Sequence, residues 1–226
     1  MRRMGALLSE ILEDVDGVLF DMDGVLLDTE AIYTEATRRV LGPLADKFDW
    51  RIKERMMGRA PLEAARILIE AVGAPFTPAE YNLLKKPILL ELFRNSPAKP
   101  GAEALVCELK TRGMPLAVAT SSDRTYFDIK TMSHPWFSSF DAVVCGSDAE
   151  VARHKPAPDI FLVAARKLGL APSRTLVFED SVAGVEAARR AKVKRVVALP
   201  DPQLDKNLLQ GAHFTLASFE LLLEPD

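Results

Sequence analysis

Val18-Leu19-Phe20-Asp21-Met22-Asp23-Gly24-Val25-Leu26-Leu27-Asp28-Thr29-Glu30 is the stretch that organises the chain. Three apolar residues suited to a buried strand run into two carboxylates separated by one residue, then a glycine. Alternate side chains of an extended segment point the same way, so Asp21 and Asp23 stand together where the strand leaves its sheet. Carboxylates that close repel, and a cation or a shared proton must offset the repulsion. With Mg²⁺ between them, Asp21 can serve as a nucleophile and Asp23 as a general acid and then base. Aspartate and glycine are also ordinary turn residues, so the stretch taken alone fits a solvated loop as well. The same form occurs just upstream in Asp14-Val15-Asp16-Gly17-Val18. There Glu13 interrupts the apolar run, and burying that charge beside a site would be costly, so the second copy is expected to carry the chemistry.

The 226 residues suffice for one large or two smaller domains with a real core. A composition of 48% hydrophobic and 27% charged residues fits a soluble globular protein. The net charge of −3 and the lack of a dense Lys/Arg run argue against nucleic acid as a partner. Cys107 and Cys145 are too few and too distant for a disulfide framework or a cysteine metal knuckle, which points to a reducing compartment. The apolar tract in Met1 to Leu12 is too short and interrupted for a signal peptide or a membrane span, so no membrane partner is expected. A cytoplasmic location follows as the expectation, with removal of a transit segment left open.

After Glu30 the apolar positions Ile32, Ala36, Val40 and Leu41 recur at helical spacing until Gly42-Pro43 stops them. Further helices are predicted over 49–57, 61–72 and 78–93, with no strand among them. Residues 33–97 therefore read as an all-helical insertion, ended by Asn95-Ser96-Pro97-Ala98-Lys99-Pro100-Gly101. Beyond it, helices at 102–111, 125–132, 159–168 and 182–191 alternate with short apolar strands at 116–119, 142–145, 175–178 and 195–198. That alternation predicts an α/β fold, a Rossmann-like parallel sheet covered on both faces, formed by 1–32 plus 98–226.

Ligands of such sheets sit at the carboxyl ends of the strands. Just past three of them stand Asp21 and Asp23, then Thr120, Ser121 and Ser122, then Glu179 and Asp180. Read singly, Ser121 or Ser122 would serve as a helix cap, and Glu179-Asp180 as an acidic helix start. Taken together in order, Asp21-x-Asp23-Gly-Val, Thr120, Lys155 in His154-Lys155-Pro156-Ala157-Pro158-Asp159, and Glu179-Asp180-Ser181 with Gly184 resemble the four motifs of the haloacid dehalogenase superfamily. The resemblance covers core and insertion alike. It implies that Asp21 attacks phosphorus, that Asp23 supplies and removes a proton, and that Thr120 and Ser121 bind the phosphoryl group. Lys155 would neutralise that group and the nucleophile. Asp21, Asp23, Glu179 and Asp180 would hold Mg²⁺, whose preference is for hard oxygen ligands. The family pattern has glycine where this chain has His154, which questions the local backbone because glycine permits angles histidine rarely adopts.

Within the insertion, Phe48-Asp49-Trp50 and Met56-Met57-Gly58-Arg59-Ala60-Pro61-Leu62-Glu63-Ala64-Ala65-Arg66 look like the cap of the group containing pseudouridine-5′-phosphatases and plant-type glycerol-3-phosphatases. Phe127-Asp128-Ile129-Lys130-Thr131 and Val196-Val197-Ala198-Leu199-Pro200-Asp201-Pro202 look like that group's core segments. The implied activity is Mg²⁺-dependent hydrolysis of a small phosphomonoester through an aspartyl phosphate. Arg59, after Gly58 in a predicted cap turn, either reaches into the closed site to hold a second anionic or hydroxylated part of the substrate or stands as a solvated surface arginine. The nearest enzyme rival, a sugar-phosphate mutase of the β-phosphoglucomutase kind, carries a histidine in its first cap helix where Tyr33 stands here. His134, His154 and His213 all lie outside the insertion. An inactive binding protein on the same scaffold could discard Asp21, Asp23, Lys155 or Asp180, and this chain keeps all four.

Overall fold

The computed structural model describes residues 6–57, 59 and 61–223. At its centre lies the strand that precedes the paired aspartates, β1 (Gly17–Phe20). It is flanked by β2 (Leu116–Thr120) and β4 (Thr175–Glu179), with β3 (Ala142–Cys145) beyond β2. On the other side β5 (Arg195–Ala198) and β6 (Phe214–Thr215) complete a sheet of order β3-β2-β1-β4-β5-β6. All five ladders are parallel, with Phe20 level with Val118 on one side and Phe178 on the other. Successive strands leave β1 in opposite directions, so a crevice opens at its carboxyl end between β2 and β4.

The sheet is covered on both faces, which is why its strands are continuous apolar runs. Val18 and Phe20 point into one cluster with α1 (Ala6–Ile11) and α6 (Ala102–Thr111), through Leu8, Ile11, Leu105 and Leu109. Phe20 stacks on Phe178 at 5.0 Å there. Leu19 points the other way, toward α8 (Asp159–Lys167) and α9 (Val182–Arg190), where it meets Phe161, Ala164, Val185 and Ala188. Strand β6 has only two residues, and the sequence periodicity did not predict it.

The upstream Asp-x-Asp copy lies at the opposite end of β1. Asp14, with a left-handed φ of 58°, pairs with Lys194 at 3.1 Å, and Asp16 pairs with Arg174 at 2.6 Å. One strand separates that ionic surface from Asp21.

The insertion consists of α2 (Glu30–Leu41), a 3-10 turn (Gly42–Lys47), α3 (Trp50–Met56), α4 (Pro61–Val72) and α5 (Pro78–Leu92). Its first helix begins at Glu30, three residues before the boundary read from the pattern. Gly58 and Ala60 of the segment quoted above lie outside the described residues. The four helices bury a core of their own around Leu41, Phe48, Leu68, Val72 and Tyr81, and the Tyr81 hydroxyl is satisfied by Thr37 at 2.9 Å. The start of α5 is fixed by a capping box between Thr77 and Glu80. The chain enters and leaves this unit at one place. Asp28 N–H donates to the Pro97 carbonyl at 2.8 Å, Lys99 N–H to the Leu26 carbonyl at 2.9 Å, and Leu27 bridges Ala98 antiparallel.

Candidate active site

Asp21 continues β1, its N–H donating to the Phe178 carbonyl at 2.9 Å, so its side chain emerges at the crevice. Behind it Gly24 turns with φ +81°, and a Cβ there would stand 2.0 Å from Asp180 Oδ2. The glycine of the first motif is thus required by the aspartate of the fourth.

Lys155 ties the two ends of the site together. Its Nζ lies 2.5 Å from Asp21 Oδ1 and 2.5 Å from Glu179 Oε1, and its side chain is buried. Burial works against the ammonium, but the Asp21 and Glu179 carboxylates outweigh it and hold Lys155 above its ordinary value. Glu179 Oε2 in turn accepts the N–H groups of Asp180 and Ser181 at 2.8 and 2.9 Å and the Ser181 hydroxyl at 3.0 Å. Glu179 thus anchors Lys155 through one oxygen and shapes the loop through the other.

Burial pushes the Asp21 carboxyl up to about 7, with Glu179 and Asp23 adding to the rise and Lys155 opposing it. Burial, then the charges of Glu179 and Asp21, push Asp180 well above the ordinary carboxylate range. The pocket thus holds more negative charge than Lys155 neutralises. Among the described residues no three His, Cys, Asp or Glu side chains form a ready metal cage. Asp21 and Asp180 alone still suit Mg²⁺, which takes one or two carboxylates together with substrate phosphate and water.

Asp23 belongs to a separate set. Its Oδ1 accepts Thr29 Oγ1 at 2.6 Å and Lys130 Nζ at 2.5 Å; its Oδ2 accepts Ser122 Oγ at 2.8 Å and lies 3.4 Å from Thr120 Oγ1. Burial would raise this carboxyl, but Lys130 and the Thr29 and Ser122 hydroxyls hold it below the usual range. Both side-chain oxygens of Asp23 are thus engaged by protein donors. The sequence reading missed Lys130, on α7 (Arg124–Thr131), which is fully buried. The one available signal was its position three residues after the buried Phe127, on the inward stripe of an amphipathic helix.

The Thr120 hydroxyl, expected to meet a phosphoryl oxygen, is fully buried and accepts Ser122 N–H at 3.1 Å. Ser121, Ser122 and Asp123 of that loop face the crevice. His154 also faces it, is exposed, and is not among the residues with positive φ, so histidine replaces the usual glycine without strain. The crevice widens beneath the helical unit into a cavity of about 590 Å³. On the helical side stand Lys53, paired with Glu30 at 3.1 Å, and Lys85, whose Nζ sits 5.4 Å from the ring centroids of both Tyr33 and Tyr81. Arg59 lines the rim of the cavity, half exposed and paired with Glu63 at 3.2 Å.

Comparison with known proteins bears on the same residues. A family model described as haloacid dehalogenase-like hydrolase matches residues 15–192. The Arabidopsis thaliana protein "(DL)-glycerol-3-phosphatase 2" is 43% identical over 88% of this chain and 82% of its own length. A Drosophila melanogaster protein named "Probable pseudouridine-5'-phosphatase" is 42% identical over 94% and 93%. Among solved structures, CbbY from Rhodobacter sphaeroides in complex with phosphate superposes with a TM-score of 0.72 at 27% identity, over 91% of this chain and 95% of that one. The fold, the four motif segments gathered at one sheet edge and these matches agree, and the chain belongs to the haloacid dehalogenase-like hydrolases.

Proposed function

We propose that the protein is a Mg²⁺-dependent phosphatase of small phosphomonoesters, with glycerol 3-phosphate and pseudouridine 5′-phosphate as the substrate types its named relatives suggest. One observation carries this reading: a lysine-paired carboxylate, Asp21, faces a cavity while a second carboxylate two residues on is held by a different set of donors. Asp21 Oδ attacks phosphorus and the bond from phosphorus to the ester oxygen breaks, leaving an aspartyl phosphate. Asp23, which takes up a proton once it lets go of the Lys130 and hydroxyl donors that keep it ionised here, gives that proton to the departing alkoxide. In the second displacement Asp23 takes a proton from water, the water oxygen attacks phosphorus, and the bond to Asp21 breaks to release inorganic phosphate. Lys155 neutralises negative charge at the transferring group, and Ser121 supplies polar groups to its oxygens. A divalent cation held by Asp21 and Asp180 would offset their excess charge and restore Asp21 as a carboxylate at neutral pH.

The helical unit excludes water from the crevice and selects the substrate, since the polar side chains Thr34, Thr37, Asn82 and Lys85 line its side of the cavity. They suit a hydroxylated leaving group. Cys107 and Cys145 are both free thiols, which suits a reducing compartment such as the cytoplasm; no described helix is long and apolar enough to cross a membrane. The test is release of inorganic phosphate from glycerol 3-phosphate, pseudouridine 5′-phosphate, 5′-nucleotides and p-nitrophenyl phosphate, with and without Mg²⁺. Isomerisation of β-glucose 1-phosphate without phosphate release would instead favour the mutase reading.

A further inference from the structure

Lys130 carries a charge in the interior that the chemistry above does not require. An unpaired buried ammonium costs several kcal/mol, so its surroundings must compensate it closely. They do. Its three N–H donors meet three oxygens: Asp23 Oδ1 at 2.5 Å, Ser122 Oγ at 2.9 Å and Tyr33 Oη at 3.0 Å. Its charge also lies 4.1 Å from the Phe93 ring centroid and 5.0 Å from that of Tyr33.

The partners come from places that meet nowhere else. Asp23 and Ser122 follow β1 and β2 at the reaction edge. Tyr33 sits in the first turn of α2, just beyond the outgoing linker. Phe93 begins the 3-10 turn (Phe93–Asn95) that follows α5, just before the returning linker. Tyr126 and Ile129 of α7 pack against the cluster formed by Ala36, Leu89 and Phe93, so the helix bearing Lys130 is itself the seat of the helical unit. One ammonium therefore touches the proposed acid/base and both chain crossings at once.

We propose that Lys130 is a positioning residue that couples the orientation of the Asp23 carboxylate to the seating of the helical cap through Tyr33 and Phe93. With Lys130 and Thr29 on Oδ1, and Ser122 and Thr120 near Oδ2, the carboxylate has no strong acceptor direction left for a substrate. Proton transfer requires it to exchange one of these partners. Of these partners Thr29 borders only the start of α2, whereas Lys130 touches both Tyr33 and Phe93, so a shift of either when the cap engages a substrate changes what holds Asp23. The catalytic part of this inference rests on the proposed phosphatase reading; the mechanical part does not.

The test uses the full chain with Lys130→Met, which keeps length and apolar bulk, and Tyr33→Phe, which removes one partner and leaves Asp23 and Lys130 in place. Amide exchange at Asp28 and Lys99, whose N–H groups bridge the two linkers, should accelerate at least about tenfold in Lys130→Met while β1 amides stay unchanged. Unchanged exchange at those two amides overturns the coupling to the cap, whatever the enzyme's activity. On glycerol 3-phosphate, Lys130→Met should lower kcat roughly 30- to 100-fold with KM within about threefold, and Tyr33→Phe roughly 3- to 10-fold, with much smaller losses on p-nitrophenyl phosphate. The double variant Lys130→Met with Asp23→Asn should be no slower than Asp23→Asn alone. Additive losses, or equal losses on both substrates, overturn the role through Asp23. If Lys130→Met does not fold, the substrate dependence of Tyr33→Phe and its linker exchange decide the same question. A wild-type enzyme that releases phosphate from no ester in Mg²⁺ sinks the phosphatase reading, and exchange alone then decides whether Lys130 ties Asp23's loop to the cap.

Discussion

A Cβ on residue 184 would stand 1.7 Å from Glu179 Oε1, so Gly184 is the space in which the Glu179 carboxylate lies. That carboxylate anchors Lys155, which in turn holds Asp21. Gly184→Ala, at ordinary helical geometry, should therefore act on the site through two intermediates. We expect kcat to fall about 10- to 100-fold, by misplacement of Lys155, and stability to fall by about 1–3 kcal/mol from overpacking. Phosphate release and chemical denaturation measure the two effects; an active, destabilised variant would uncouple Glu179 from Lys155.

Asp21→Asn should leave less than about one percent of activity, whereas Asp14→Asn should leave it intact and cost at most about 1 kcal/mol, the range for exposed ion pairs. The comparison is sharp because the two aspartates share a sequence context but lie at opposite ends of β1. Loss of activity in Asp14→Asn would overturn the assignment of the site to the carboxyl end.

Asp23→Asn should penalise esters of poor leaving groups more than p-nitrophenyl phosphate, whose phenolate departs without protonation. The ratio of kcat on glycerol 3-phosphate to that on p-nitrophenyl phosphate is the measurement. An unchanged ratio would remove Asp23 from proton transfer.

Lys85 and Arg59 offer contrasting cap cations. Lys85→Met should lower kcat/KM on the physiological ester by about tenfold, the scale of a charged hydrogen bond to substrate, and leave p-nitrophenyl phosphate nearly unaffected. Arg59→Ala, which breaks an exposed pair with Glu63, should change either substrate by less than about threefold. Steady-state kinetics on both variants would detect a reversal of that order, which would return the substrate contact to Arg59.

Burial pushes the Lys85 ammonium down to about 8 from an ordinary 10.5, with Glu30 partly opposing. Between those values the unfolded chain binds more protons than the folded one at this site, so its contribution to stability rises with pH across that window and is lost as pH falls toward 8. Lys85→Met should accordingly be more stable than the wild type at pH 7, by an amount on the order of 1–3 kcal/mol, and the difference should shrink by pH 10. Urea midpoints at the two pH values test the sign. A difference that grows with pH would show that the folded state favours the charged form.

Strands β1 to β5 were legible as short apolar runs, three of them (β1, β2 and β4) leading into polar residues. The four helices of the insertion were legible because their apolar spacing never alternates. Pro87, inside α5, did not mislead, since the pattern on either side of it stays helical. Strand β6 and α1 escaped for the opposite reason: two residues, and six near the start of the chain, are too short to display a period.

By itself the sequence determined the parallel sheet, the inserted helices and the order in which Asp21, Asp23, Thr120, Lys155, Glu179 and Asp180 arrive at the strand ends. Spacing along a strand or helix is a local property, and those assignments depend on little else. Which oxygen each of these groups meets was decided by tertiary structure. Glu179 is spent on Lys155 and on its own loop, Thr120 turns toward Asp23, and Arg59 stays at the rim beside Glu63. Lys130 comes from α7, 107 residues from Asp23, and becomes its closest partner only when the sheet order brings β1 beside β2 and the cap linkers cross above them. No local pattern distinguishes such a lysine from one that snorkels to solvent, because the charges that make its burial tolerable are supplied by segments remote in sequence.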